Sequence, residues 1–142
     1  MVETDRPKVG IGVIVFNNGK ILLGMRKNSH GNHTWNFPGG HLEFNEEIID
    51  CAKREVLEET GLKIQNPTII GQVTNDIFIE EKKHYITIFV MGTSDNSEPK
   101  IMEPEKCDGW SWFDWEDLPQ PLFLPIQNLI KQGFVPTPPI HS

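Results

Sequence analysis

The stretch "GGHLEFNEEIIDCAKREVLEETGL", residues 39–62, carries the start and stop of one helix and a crowd of like charges within it. From Glu46 to Thr60 there is neither glycine nor proline, Asn45 is suited to capping the start, and Gly61 supplies a left-handed stop. A helix of about four turns is predicted. At about 100° per residue, Ile48, Ile49, Ala52 and Val56 share one arc, while Glu55, Glu58 and Glu59 occupy the arc beside it. Like charges four apart cost an isolated helix about 0.2 to 0.5 kcal/mol per pair, so the glutamates need a partner or solvent. Alone, such a trio is an ordinary solvated face.

Upstream, "VGIGVIVF" (9–16) and "KILLGMR" (20–26) are aliphatic, largely β-branched runs joined by Asn17-Asn18-Gly19, a tight-hairpin signal. Two antiparallel strands are predicted. "KNSHGNHT" (27–34) has loop composition, and the Pro-Gly-Gly of "WNFPGGHLEF" (35–44) predicts a further loop. Downstream, "TIIGQVT" (68–74) and "HYITIFVMG" (84–92) read as strands, with "NDIFIEEKK" as an extension and turn between them. Residues 93–109 are polar with two prolines and predict a long loop; "WSWFDW" (110–115) alternates as a half-buried strand does. "PIQNLIKQG" (125–133) predicts a short helix, and "VPTPPIHS" (135–142) a disordered tail.

At 142 residues with no internal repeat or linker, the chain is expected to be one domain, residues 1–142, with its core over about 9–134. Charged residues at 23% and hydrophobic ones at 37% predict a soluble globular protein, and no apolar run approaches the roughly 18 residues of a membrane span. The N-terminal stretch lacks the basic start and apolar core of a cleavable leader, so a cytoplasmic location is expected. Cys51 and Cys107 form no CxxC pair or His cluster, which predicts reduced thiols used in packing. A formal net charge of −7 with no basic stripe argues against binding a nucleic-acid polymer. An anionic ligand would then need a metal to mediate.

That requirement meets the helix. Hard oxygen donors on a rigid element suit Mg²⁺, with Mn²⁺ as the other candidate, since these ions bind through a few carboxylates plus substrate phosphates. Gly39 and Gly40 would let main-chain groups approach the ion or a phosphate with no Cβ in the way. Arg54 can pair with Glu58 one turn away or orient a neighbouring carboxylate. The chemistry indicated is attack of water on a phosphoryl group with metal assistance.

Gly40, five residues, Glu46, seven residues, then Arg54-Glu55-Val56-Leu57-Glu58-Glu59-Thr60-Gly61-Leu62 resembles the Nudix box at every specified position. "GMRKNSHGNHTWNFPGGHLEF" before it, and "EPKIMEPEKCDGW" with "LPQPLF" after it, resemble the small MutT-type nucleoside triphosphate pyrophosphatases of that family. The resemblance implies an α/β/α sandwich with a central mixed sheet and a loop-helix-loop, and hydrolysis of a nucleoside triphosphate to monophosphate and pyrophosphate. It implies Glu55 and Glu59 as main metal ligands, Glu58 as a further ligand or part of the base machinery, and the Gly39 carbonyl as completing the site. Glu55 is the first choice for general base. Arg54 would orient the carboxylates, and Gly40, Glu46 and Gly61 would shape the box. Glu103, in "MEPEK", is a candidate acidic group from the long loop.

Two positions depart from that pattern. Asn45 stands where glycine is usual, and Leu124 replaces a tryptophan often present in "LFW", near the expected nucleobase pocket. Arg26 and His41 are implied beside the phosphates, and Thr87, Phe123, Leu124 and Ile126 at base-pocket positions. Trp35, Trp110, Trp112 and Trp115 are expected as core or interface aromatics. Nucleoside triphosphates, oxidised or modified (d)GTP among them, lead as substrates. The alternatives are a prenyl diphosphate such as geranyl diphosphate, which an apolar cavity would favour, and a non-catalytic nucleotide-binding module, which the intact carboxylate set opposes. A homodimer is expected from the resemblance.

Overall fold

The computed structural model of the protein describes residues 5–138. Strands β1 (Lys8–Asn17) and β2 (Lys20–Arg26) form the predicted hairpin, with Asn18 and Gly19 both at positive φ in its turn. The segment expected to be loop instead contains two short strands, β3 (Trp35–Asn36) and β4 (Gly39–His41). Pro38 breaks the chain between them, while β4 pairs antiparallel with β1, Gly39 opposite Gly12. A Cβ on Gly39 would lie 2.0 Å from the Ile11 carbonyl oxygen, so only glycine allows this pairing.

Helix α1 spans Ile48–Thr60, two residues shorter at its start than predicted. Asn45 is not its cap: it sits at φ 66° in the left-handed region, and Glu47 is the extended residue before the helix. The stop is as predicted. Gly61, at φ 75°, donates its N–H to the Leu57 carbonyl at 3.0 Å.

Strand β5 runs from Gln65 to Phe78, taking in the first four residues of the predicted extension and turn, and β6 spans Lys83–Thr93. β7 covers Cys107–Phe113, beginning three residues before the alternating aromatics, and a single 3₁₀ turn follows at Trp115–Asp117. α2 spans Leu124–Lys131, with Gly133 at φ 80° just beyond it. In the tail expected to be disordered, residues 135–138 have no regular structure, although Pro136 is buried, and residues 139–142 lie outside the described residues.

The sheet order is β3-β2-β1-β6-β5, with β4 also on β1 and β7 on β2. β1 and β6 are parallel over nine residue pairs and the other pairings between these strands are antiparallel, so the sheet is mixed. Ile11, Val13 and Val15 pack with Cys51, Ala52 and Val56 of α1; Ile14 and Phe16 pack with Phe37, Phe89, Ile126 and Leu129 on the α2 side. An uninterrupted apolar β1 is what a strand covered on both faces requires. The predicted α/β/α sandwich is the observed one. Cys51 and Cys107 are both free, the first buried and the second half-buried. Among the described residues, no helix is long and apolar enough to cross a membrane.

Candidate active site

The carboxylates of α1 are organised by one guanidinium. Arg54 Nε and Nη2 donate to the two oxygens of Glu46 at 2.8 and 3.0 Å, and its Nη1 donates to Glu55 Oε1 at 2.7 Å and Glu58 Oε1 at 3.2 Å. A third direction of the fork reaches the His41 carbonyl at 3.2 Å. Glu46 also accepts the Glu43 N–H at 3.1 Å, which closes the loop preceding the helix. Hydrogen bonding to Arg54 holds the Glu46 carboxyl down to about 2, and the same bond raises Arg54 above the ordinary arginine value.

Two glycines bring the other carboxylates onto the main chain. The Gly39 N–H faces both oxygens of Glu59, at 3.3 and 3.4 Å, and a Cβ on Gly40 would fall 2.3 Å from the Glu55 carboxyl carbon. Loss of solvation pushes Glu59 up to about 8, reinforced by the charges of Glu55 and Glu103. Burial also raises Glu55, against the pull of Arg54. Glu55, Glu59, Glu103 and the Gly39-Gly40 backbone all border one cavity of about 450 Å³.

That donor set fits a hard divalent cation: carboxylate oxygens beside an open main chain, with Glu55 and Glu59 raised first by burial and then by neighbouring negative charge. Gly39, Glu55, Glu59 and Glu103 would hold it. Glu58 does not border the cavity and is exposed, engaged with Arg54. Among the described residues, no three carboxylate, imidazole or thiol groups are gathered as a closed metal site. The carboxylates are spread along a wall instead.

The far end of the same cavity is aromatic. His30 stacks on Tyr85 with ring centres 5.1 Å apart and planes 7° from parallel, and it meets Phe78 edge-on at 4.7 Å. Arg26 donates from Nε to the His30 carbonyl at 3.0 Å and lays its guanidinium 4.2 Å over the Phe123 ring. His41 Nε2 and the Tyr85 hydroxyl lie 3.0 Å apart. Burial, helped by the charges of Arg26 and Lys83, lowers His30 to about 4, so its ring is neutral at pH 7; burial lowers His41 and Arg26 as well.

Of the six residues expected at the substrate, Arg26, His41, Thr87 and Phe123 border the cavity. Leu124 is half-buried against Phe78, Tyr85 and Phe123, and Ile126 is fully buried in the α2 core; neither reaches the cavity wall. Of the four tryptophans, Trp110 alone borders it. Sequence reasoning missed His30, Phe78, Tyr85 and Lys83, all of which line the cavity, and buried Asp76 beneath it. The strand alternation of residues 74–78 and 83–89 carried the signal for all of these but His30, which lies in the loop between β2 and β3.

The model of the NUDIX domain matches residues 6–132. The oxidized purine nucleoside triphosphate hydrolase of Danio rerio is 34% identical over 107 residues, which are 75% of this chain and 66% of that protein, just under two thirds of its length. The RNA pyrophosphohydrolase of Bartonella bacilliformis is 30% identical over 136 residues, 78% of this chain and 79% of that one. Among solved structures, a MutT NUDIX hydrolase from Burkholderia pseudomallei superposes with a TM-score of 0.82 at 29% identity, covering 90% of this chain and 98% of that one. The sandwich is therefore that of the MutT-like NUDIX hydrolases, and the chain belongs to the Nudix hydrolase family.

Proposed function

We propose that the protein hydrolyses (deoxy)nucleoside triphosphates, including oxidised or modified (d)GTP, to the monophosphate and pyrophosphate with Mg²⁺, or Mn²⁺ in its place. The supporting observation is the union, in one cavity, of the Glu55–Glu59 wall with an aromatic pocket of His30, Phe78, Tyr85 and Phe123. One end suits phosphates and the other a planar ring.

When bound, the divalent cation neutralises charge on the phosphate oxygens. Glu55, its pKa raised by burial, would take the proton of the attacking water; the water oxygen bonds to phosphorus as the bridging P–O bond between the monophosphate and pyrophosphate halves breaks, and the departing half carries the bonding pair. Arg54 keeps Glu55 and Glu58 in place through Nη1 while Glu46 fixes the fork. Arg26 and His41 border the cavity where a phosphate chain would pass, Arg26 supplying the charge. The zebrafish relative carries the name of an oxidised-purine hydrolase and the Bartonella relative that of an RNA pyrophosphohydrolase. The net charge of −7 favours the free nucleotide over an RNA end. A cytoplasmic homodimer remains part of the reading.

The test is Mg²⁺-dependent pyrophosphate release from a panel of dNTPs, 8-oxo-dGTP, 5′-triphosphate RNA and geranyl diphosphate. Release from a free triphosphate, lost by about a hundredfold or more in Glu59→Gln with the fold intact, is expected. Turnover of geranyl diphosphate or the RNA end alone, with no triphosphate cleaved, overturns the substrate assignment.

A further inference from the structure

Beneath the aromatic end of the cavity lies a carboxylate that touches neither phosphate machinery nor solvent. Asp76, on β5, is fully buried. Its Oδ2 accepts the hydroxyls of Thr87 at 2.6 Å and Thr74 at 2.9 Å, and its Oδ1 accepts the Asn128 amide at 2.9 Å. Tyr85, Thr87 and Phe89 alternate along β6 on the face that borders the cavity, and Asp76 and Phe78 follow the same alternation on β5. Burying a carboxylate is costly unless several donors satisfy it, and here three do.

The consequence falls on Thr87. A hydroxyl has one proton and two acceptor lone pairs, and a carboxylate only accepts, so the Thr87 proton is committed to Asp76. Among the described residues, no donor reaches Thr87 Oγ1. Gly10 leaves it open: a side chain there would begin 3.5 Å from the hydroxyl oxygen and cover it. The cavity floor at this point is an acceptor by construction.

We propose that Asp76 is a positioning residue that sets the polarity of Thr87, and through it selects substrates whose ring presents an N–H donor beside a carbonyl, the lactam N–H of an oxopurine. The proposal rests on the nucleotide reading above and deepens it. Two edges carry that chemistry: N1–H of guanine, and N7–H of an 8-oxopurine, where the unoxidised base has an acceptor. A prenyl chain offers no donor and leaves the floor unsatisfied.

The measurement is calorimetric binding of nucleoside monophosphates to the full chain, which needs no hydrolysis and therefore fails independently of the pyrophosphate assay. The probes are dGMP against 1-methyl-dGMP, and 8-oxo-dGMP against its 7-methyl derivative. Methylation of one of the two nitrogens is expected to weaken binding about tenfold or more in the wild type. That ratio collapses to below about threefold in Thr87→Val, which keeps the side-chain shape, and is retained in Thr87→Ser. In Asp76→Asn the amide can donate to Thr87 and release its proton toward the ligand, so the ratio collapses there too while 1-methyl-dGMP binds no more weakly than to the wild type. Ratios below about threefold for both pairs in the wild type overturn the proposal, as does a ratio unchanged in Thr87→Val. So does a proportional weakening of every probe in Asp76→Asn, which is what a purely structural carboxylate would give, or binding of none of the four.

Discussion

The guanidinium of Arg54 is held by both oxygens of Glu46, at 2.8 and 3.0 Å, eight residues apart across the start of α1. This bidentate pair leaves Nη1 free to hold Glu55 and Glu58, so the box has a fixed end and a working end. Glu46→Gln keeps the shape but weakens the clamp. Steady-state kinetics should show kcat down about tenfold with KM changed little, because the reacting end loses orientation rather than contact. An unchanged kcat would remove Glu46 from the positioning chain.

The same pair sets an acid limit on stability. Glu46 is held at about 2 in the fold against an ordinary 4.5, so its contribution is present above 4.5 and is lost as pH falls toward 2. Thermal unfolding between pH 6 and pH 2 should fall more steeply for the wild type than for Glu46→Gln. Parallel curves would count against it.

Glu59 works with the opposite sign. Its folded value of about 8 lies above 4.5, so protonated Glu59 stabilises the fold at low pH and that contribution is lost as pH rises from 4.5 through 8. Metal-free protein should lose melting temperature across that window, and Glu59→Gln should not. At pH 7 a divalent ion binding there displaces a proton, so the calorimetric enthalpy of Mg²⁺ binding should scale with the ionisation enthalpy of the buffer. Independence from buffer would show that Glu59 is already ionised.

Gly39 and Gly40 should separate folding from activity. Gly39→Ala drives a Cβ against the Ile11 carbonyl, backbone against backbone, and should cost about 3 kcal/mol or more in denaturant unfolding. Gly40→Ala meets only the end of the Glu55 side chain, which can swing away. It should melt within a few degrees of the wild type while losing most of its activity.

Burial pushes the Cys51 thiol up to about 12 and also raises Cys107. Neither should react with a thiol reagent at pH 8 in the native protein, and both should react on unfolding. Fast native labelling of either would show that its segment opens.

The helix, its stop and the carboxylate wall were readable because each depends on local spacing: 3.6-residue periodicity, Gly61, and the fixed distances from Gly40 to Glu46 and Arg54. The short strand at Gly39–His41 was not, because glycine and proline signal a break while the pairing with β1 is a long-range fact. Asn45 misled for a related reason, since a residue that caps helices also tolerates the left-handed turn that it takes here. The aromatic pocket stayed hidden because residues 75–83 read as one extension and turn, with no point marked where the strand stops and the turn begins. With the strand carried on to Phe78, its alternation places Asp76 and Phe78 on the face of Tyr85 and Thr87. Ile126 was assigned to the pocket by position, whereas its burial with Leu129 makes it core.

Along β1 the side chains of the two parities have separate duties: those of Ile11, Val13 and Val15 seal one helix, Ile11 also bordering the cavity, while Gly10 and Gly12 leave the other face open to it before Ile14 and Phe16 seal the second helix. A strand with a period of two cannot shift by one position without exchanging those duties. An added residue between Lys8 and Phe16 would thrust aliphatic side chains into the substrate's space and turn glycines toward α1, whereas one at Asn18-Gly19 would only lengthen a turn. The length of this strand thus decides which residues face the cavity as firmly as the identity of any side chain there.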